Sequence, residues 1–135
     1  MAGEFAKLDE FIEALRAAGV KEAGLSAKVA TTTSPGGDEI AFRGRIVVEG
    51  QLPGGEQVEY VEQIMPYVTS TRSPHLTATA EGAGALRAAQ LALARQLRSY
   101  RGEYQGVVAA VRAQLTQRLA EAGLSVVEPE DRAAR

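Results

Sequence analysis

Apolar positions recur along this chain in two rhythms, one helical and one with a period of two. Phe5, Leu8, Ile12 and Leu15 fall at helical spacing with Phe11 beside them, while Asp9, Glu10, Glu13 and Arg16 occupy the other faces. This predicts an amphipathic first helix. Gly19 stands where a left-handed C-terminal cap favours a residue without Cβ, and Val20 can supply the accompanying apolar contact. From Leu25 the period becomes two: Leu25, Ala27 and Val29 alternate with Ser26, Lys28 and Ala30, and three β-branched threonines follow, Thr31 to Thr33. Ser34-Pro35-Gly36-Gly37-Asp38 then reads as a hairpin connection. In the second strand Ile40, Phe42, Ile46 and Val48 share one face and Arg43, Arg45 and Glu49 the other, with Gly44 a bulge or a point of close approach. A second turn, Leu52-Pro53-Gly54-Gly55-Glu56, leads to a third strand carrying Val58, Tyr60 and Ile64.

Pro66 cannot continue a central strand, and Tyr67 to Thr79 mixes polar and apolar residues with many threonines and serines, which predicts a long linking loop. Loops of that length in a compact domain tend to be functional or mobile. From Ala80 to Tyr100 alanine, leucine, glutamine and arginine dominate, and Leu86, Ala89, Leu93, Leu97 and Tyr100 form a helical stripe. Gly102 is expected to end that helix, and Tyr104, Val108, Val111, Leu115 and Leu119 to mark a third one that stops before Gly123. The resulting expectation is an α+β fold of helix, three-stranded antiparallel meander and two C-terminal helices. It spans residues 1–127 as a single domain, with 128–135 as a flexible tail.

Composition leaves that picture standing and narrows the chemistry. A chain of 135 residues, 45% apolar and 24% charged, is of ordinary globular make-up and large enough for one core without staples. The absence of cysteine removes disulfides, thiolate metal sites and cysteine nucleophiles, and fits a cytoplasmic setting. The first ten residues are polar with three acids, and no segment is apolar enough to span a bilayer, so neither a leader nor a membrane partner is expected.

The net charge of −2 conceals an asymmetry. Residues 1–62 hold six basic and eleven acidic side chains, net −5, residues 63–127 hold seven and three, net +4, and the last eight residues add −1. On a helical projection Arg87, Arg95, Arg98 and Arg101 fall within an arc of roughly 120° centred about 140° from the apolar stripe. Such a face can hold phosphates, or it can be a solvated face, or pair with acids of the first half or of another subunit. Leu91 lies inside the cationic arc, which suits a helix partly covered by a second copy and so a homo-oligomer.

Other candidate chemistry is sparse. His75, the only histidine, sits in Arg72-Ser73-Pro74-His75-Leu76 with no second imidazole or thiol to complete a metal set and no serine or carboxylate arrangement around it. Glu81-Gly82-Ala83-Gly84-Ala85 opens a helix but lacks the third glycine and the lysine–hydroxyl pair of a nucleotide loop. Arg43 and Arg45 point to the outer sheet face, where they either pair across strands with Glu59 or its neighbours or track phosphates. Stacking on bases can rest only on Phe42, Tyr60, Tyr67 or Tyr100, because aromatic residues make up 5% of the chain. Neither a catalytic group, a metal nor a cofactor is expected.

The element order, helix, three strands, helix, is shared by double-stranded-RNA-binding domains and by some single-strand annealing proteins. The first lack support here: Gly84-Ala85-Leu86-Arg87-Ala88-Ala89 has one arginine where those domains carry a lysine cluster, and Ser34 to Asp38 has no histidine. The chain more closely resembles the Erf family of phage single-strand annealing proteins. The shared steps are Phe5-Ala6-Lys7-Leu8, Gly24-Leu25, Gly55-Glu56, and Gly84-Ala85 followed by Arg87 and Arg95. Arg98-Ser99-Tyr100-Arg101 stands in place of that family's Thr-Tyr and Arg-Arg-Tyr signature. The resemblance implies a ring- or filament-forming, non-catalytic protein that binds single-stranded nucleic acid through Arg87, Arg95, Arg98 and Arg101 and promotes annealing; Arg43 and Arg45 join the expected nucleic-acid-binding residues from the reading of the sheet face. The competing expectations are a self-assembling structural or adaptor protein whose arginine helix is a protein interface, and a small-molecule-binding domain or enzyme.

Overall fold

The computed structural model describes residues 3–70 and 82–128, the side chains of 82–90 excepted. Arg72, His75, the side chain of Arg87, residues 71–79 of the expected loop and 129–135 of the expected tail lie outside the described residues. The chain is α+β, running β1 (Gly3–Phe5), α1 (Leu8–Ala17), β2 (Glu22–Thr33), β3 (Glu39–Gln51), β4 (Gln57–Gln63), β5 (Tyr67–Ser70), α2 (Gly82–Glu121) and β6 (Ser125–Val127). The strands order as β1-β4-β3-β2-β6, with β5 also on β3.

The three expected strands fall within β2, β3 and β4, but the sheet is not a three-stranded antiparallel meander. β1 runs parallel to β4 and β6 parallel to β2, while β5 pairs antiparallel with β3, so the sheet is mixed and six-stranded. The added strands are three or four residues long, too short for a period of two to show in sequence. Phe5, expected in the first helix, belongs to β1, and its ring packs edge-on against Phe11 at 5.8 Å.

The second correction concerns the helices. Gly102 does not end one; α2 is continuous for 40 residues, about 60 Å. A helix ends where a residue takes positive φ and redirects its last carbonyls, and among the described residues positive φ is confined to Gly19, Gly37, Gly55 and Gly123. Gly102 keeps helical geometry at a cost of about 1 kcal/mol relative to alanine. The apolar stripe crosses it in phase, as Leu93, Leu97, Tyr100, Tyr104, Val108, Val111, Leu115 and Leu119.

The expected caps and turns are present. After α1, Gly19 has φ +74°, Val20 N–H donates to Leu15 O at 3.0 Å and Gly19 N–H to Arg16 O at 3.0 Å, a Schellman cap. Gly123, with φ +86°, repeats it after α2 through Leu124 N–H to Leu119 O at 3.0 Å. In the β2–β3 turn the Ser34 hydroxyl oxygen accepts from the N–H groups of Asp38 and Glu39, both at 3.1 Å.

The chain divides into two compact units. Among the described residues the first comprises the chain up to Lys28, Arg45–Ile64 and the chain from Val108; the second comprises Val29–Gly44 and Met65–Val107. The first buries Phe11, Leu15, Leu25, Ile46, Val48 and Leu119 almost completely. Gly50 on β3 permits that packing, because a Cβ there would stand 2.7 Å from a Leu15 methyl. The second buries Ala41, Phe42 and Tyr104.

Candidate nucleic-acid interface

The aromatic residues of the second unit form one connected group. The β3–β5 register sets Tyr67 opposite Phe42, so the two rings share a sheet face and stack at 6.2 Å with 14° between planes. Tyr67 also meets Tyr100 of α2 at 5.5 Å, and Phe42 meets Tyr104 at 6.3 Å. Tyr104 explains Gly44. The Gly44 N–H donates to the Tyr104 hydroxyl at 2.6 Å in a buried setting, and burial alternates through residues 42 to 46 without a break. Gly44 is thus a point of close approach, not a bulge. The Tyr100 hydroxyl accepts from the Gln96 side-chain amide at 2.7 Å.

Beside this group a hollow of about 200 Å³ is lined by Thr31, Ile40, Phe42, Leu97, Arg98 and Arg101. Its floor is apolar, and two guanidinium groups three residues apart on α2 stand along it. The ion pairs Arg118–Asp9 and Arg112–Glu128 belong to the first unit; among the described residues Arg95, Arg98 and Arg101 form none. Among the described residues no carboxylate lines this hollow, so the two guanidinium groups stand along an apolar floor without a matching charge.

No family model, no curated protein and no solved structure matches this chain.

The remaining site residues of the sequence reading are placed differently. Arg95 is exposed on α2 but does not line the hollow. Arg43 and Arg45 are exposed and alternate with buried Phe42, Gly44 and Ile46, so they project from the face of β3 opposite to Phe42, and neither lines the hollow. The expected cross-strand pairing with Glu59 is overturned by the register: Arg45 faces Gln63, while Glu59 faces Glu49 on β3 and Glu4 on β1. Of the four proposed stacking residues, Phe42 and Tyr60 are 2% and 8% exposed and closed to a base, whereas Tyr67 is 39% exposed. Sequence reasoning missed Thr31, Leu97 and Tyr104 as site residues. Leu97 was legible only as stripe, and nothing local marks Thr31.

Among the described residues no group of three or more histidines, cysteines and acids is set to hold a metal ion, and no helix is long and apolar enough to cross a membrane.

Proposed function

We propose that this chain is a non-catalytic binding module that takes single-stranded nucleic acid across the arginine face of α2, working as a homo-oligomer in the cytoplasm. The observation that carries the reading is the hollow where Arg98 and Arg101, without an ion pair among the described residues, adjoin an apolar floor, next to the half-exposed Tyr67 ring. Phosphates are held by the guanidinium groups and an unpaired base lies on Tyr67 or against Ile40 and Leu97. Single strands fit better than duplex because only an unpaired base presents its flat face. The resemblance to Erf annealing proteins points the same way. Exposed Leu91, Val107, Met65 and Val68 give the second unit apolar surface that a further copy would cover.

The test is fluorescence anisotropy of a labelled oligonucleotide at two salt concentrations. If Arg95, Arg98 and Arg101 each neutralise one phosphate, the log–log salt slope is about −2, or roughly twenty-fold weaker binding on going from about 50 to about 200 mM salt. Replacing Arg98 and Arg101 together by alanine reduces that slope to about −0.7. Absence of binding at both salt concentrations refutes the reading.

A further inference from the structure

A hollow of the first unit has a different character. It is an open hollow of about 510 Å³, within the range of small-molecule sites, and is built from the start of α1, from β4 and from the last three turns of α2. Leu8, Val111 and Leu115 supply apolar walls, and the ring of Tyr60, 8% exposed, supplies another.

The polar groups around it are arranged with a bias. The Tyr60 hydroxyl donates to Glu62 Oε1 at 2.9 Å. Burial holds the Tyr60 pKa above its ordinary value, and the hydrogen bond to Glu62 and that carboxylate's charge push it the same way against a smaller opposing pull from Arg118, so the phenol keeps its proton and continues to donate. The second oxygen of Glu62 is left as an acceptor. Glu121 takes one hydrogen bond, from the Gln117 side-chain amide at 3.2 Å, and otherwise stands open. Arg118, the single cation of the lining, is already matched by Asp9. The hollow thus presents apolar walls and two carboxylates, Glu62 and Glu121, against one arginine that is itself shared with Asp9.

We infer that this hollow is a binding site for a small organic cation, a molecule with an ammonium, amidinium or guanidinium head on an apolar body. The body lies against Leu8, Val111 and Leu115, with the buried Tyr60 ring beside it. The head donates to Glu62 and Glu121 through charge-assisted hydrogen bonds. Anions of the same shape are repelled by the same carboxylates. The site lies wholly in the first unit and does not rest on the nucleic-acid reading.

The experiment uses the full chain, benzamidine as the cationic probe, and benzoate as its anionic counterpart of matched shape, both followed by amide chemical shifts. Benzamidine is expected to give saturable shifts centred on residues 60–62 and 111–121, and benzoate none there. Glu62→Gln, which still accepts the Tyr60 hydroxyl, weakens benzamidine about tenfold, and Glu121→Gln about threefold. Glu56→Gln, in the exposed β3–β4 turn, changes nothing. Equal responses to benzoate and benzamidine, shifts that never saturate, or unchanged affinity in both Glu62→Gln and Glu121→Gln would overturn the inference. The Glu121 variant, at an exposed helix end, keeps the test decisive should Glu62→Gln unfold.

Discussion

The two units divide the same helix between opposite fates. From Val108 to Leu119 the apolar stripe of α2 is committed to the core of the first unit: Val108, Leu115 and Leu119 are at most 5% exposed. From Leu93 to Tyr100 the same stripe, at the same spacing, reaches only intermediate burial at Leu93, Leu97 and Tyr100, and closes fully only at Tyr104. All the large exposed apolar residues among those described, Met65, Tyr67, Val68, Leu91 and Val107, belong to the second unit. Charge divides the same way. By sequence the first unit's segments carry nine basic and thirteen acidic side chains and the second unit's six and four. An amphipathic period therefore states which face of a helix will be buried, but not how deeply. Depth depends on what the rest of the unit sets against it, and among the described residues of the second unit less is set against the stripe than in the first.

The sharpest way to break this contrast is to truncate one leucine in each half of the stripe. Leu119→Ala removes a fully buried side chain and is expected to cost about 2–5 kcal/mol, whereas Leu97→Ala, at a half-covered position, costs about 1 kcal/mol. Urea denaturation of both variants measures the difference. Equal losses would mean that the second unit has a core as tight as the first.

Next in size is the point where α1 closes on the sheet. Gly50→Ala places a methyl within 3.0 Å of Leu15, itself 0% exposed, and overpacking of this kind costs about 1–3 kcal/mol. Combining it with Leu15→Ala makes room for the new methyl, so the double variant loses less than the two single losses added together. Full additivity would show that the two positions are not in contact. No loss is expected from alanine at Gly102, an open helical glycine of the second unit.

Much of the fold was legible in the residues that carry strong local rules. Gly19, Gly55 and Gly123 mark turns because positive φ suits only a residue without Cβ, and the alternation from Ile40 to Val48 places Phe42 and Ile46 inward. What escaped depends on distant partners. Gly3–Phe5 becomes a strand only because Val58–Tyr60 lies alongside it, and Tyr67–Ser70 only because β3 offers Glu39–Phe42. For the candidate site, helical spacing alone brought Arg98 and Arg101 to one side of α2. That Arg43 and Arg45 stand apart from them was readable from the same alternation that turned Phe42 inward.

The continuity of α2 is itself testable at Gly102, within the second unit. Were Gly102 a helix terminus, alanine there would be strained or neutral. Inside a continuous helix, with nothing within 4 Å of the new Cβ, Gly102→Ala is expected to stabilise by about 1 kcal/mol, read as a rise in the urea midpoint at unchanged slope. A falling midpoint would restore the two-helix arrangement and remove the shared stripe on which the contrast rests.

The smallest expected effect lies on β4 of the first unit, where its acidic excess meets the sheet register. Glu59 faces Glu49 on one neighbour and Glu4 on the other. Like charges directly across strands oppose pairing by a few tenths of a kcal/mol each. Glu59→Gln removes both repulsions without changing side-chain length, and should raise stability by about 0.5 kcal/mol at low salt, the gain shrinking as salt screens the pair. Arg43→Gln, on the same sheet's β3 but within the basic second unit, relieves no such pairing and serves as the control. If Glu59→Gln were neutral at all salt concentrations, the acidity of the first unit would be a property of its surface composition alone, without a price in strand pairing. A gain that fades with salt instead ties the charge division between the units to the register of the sheet.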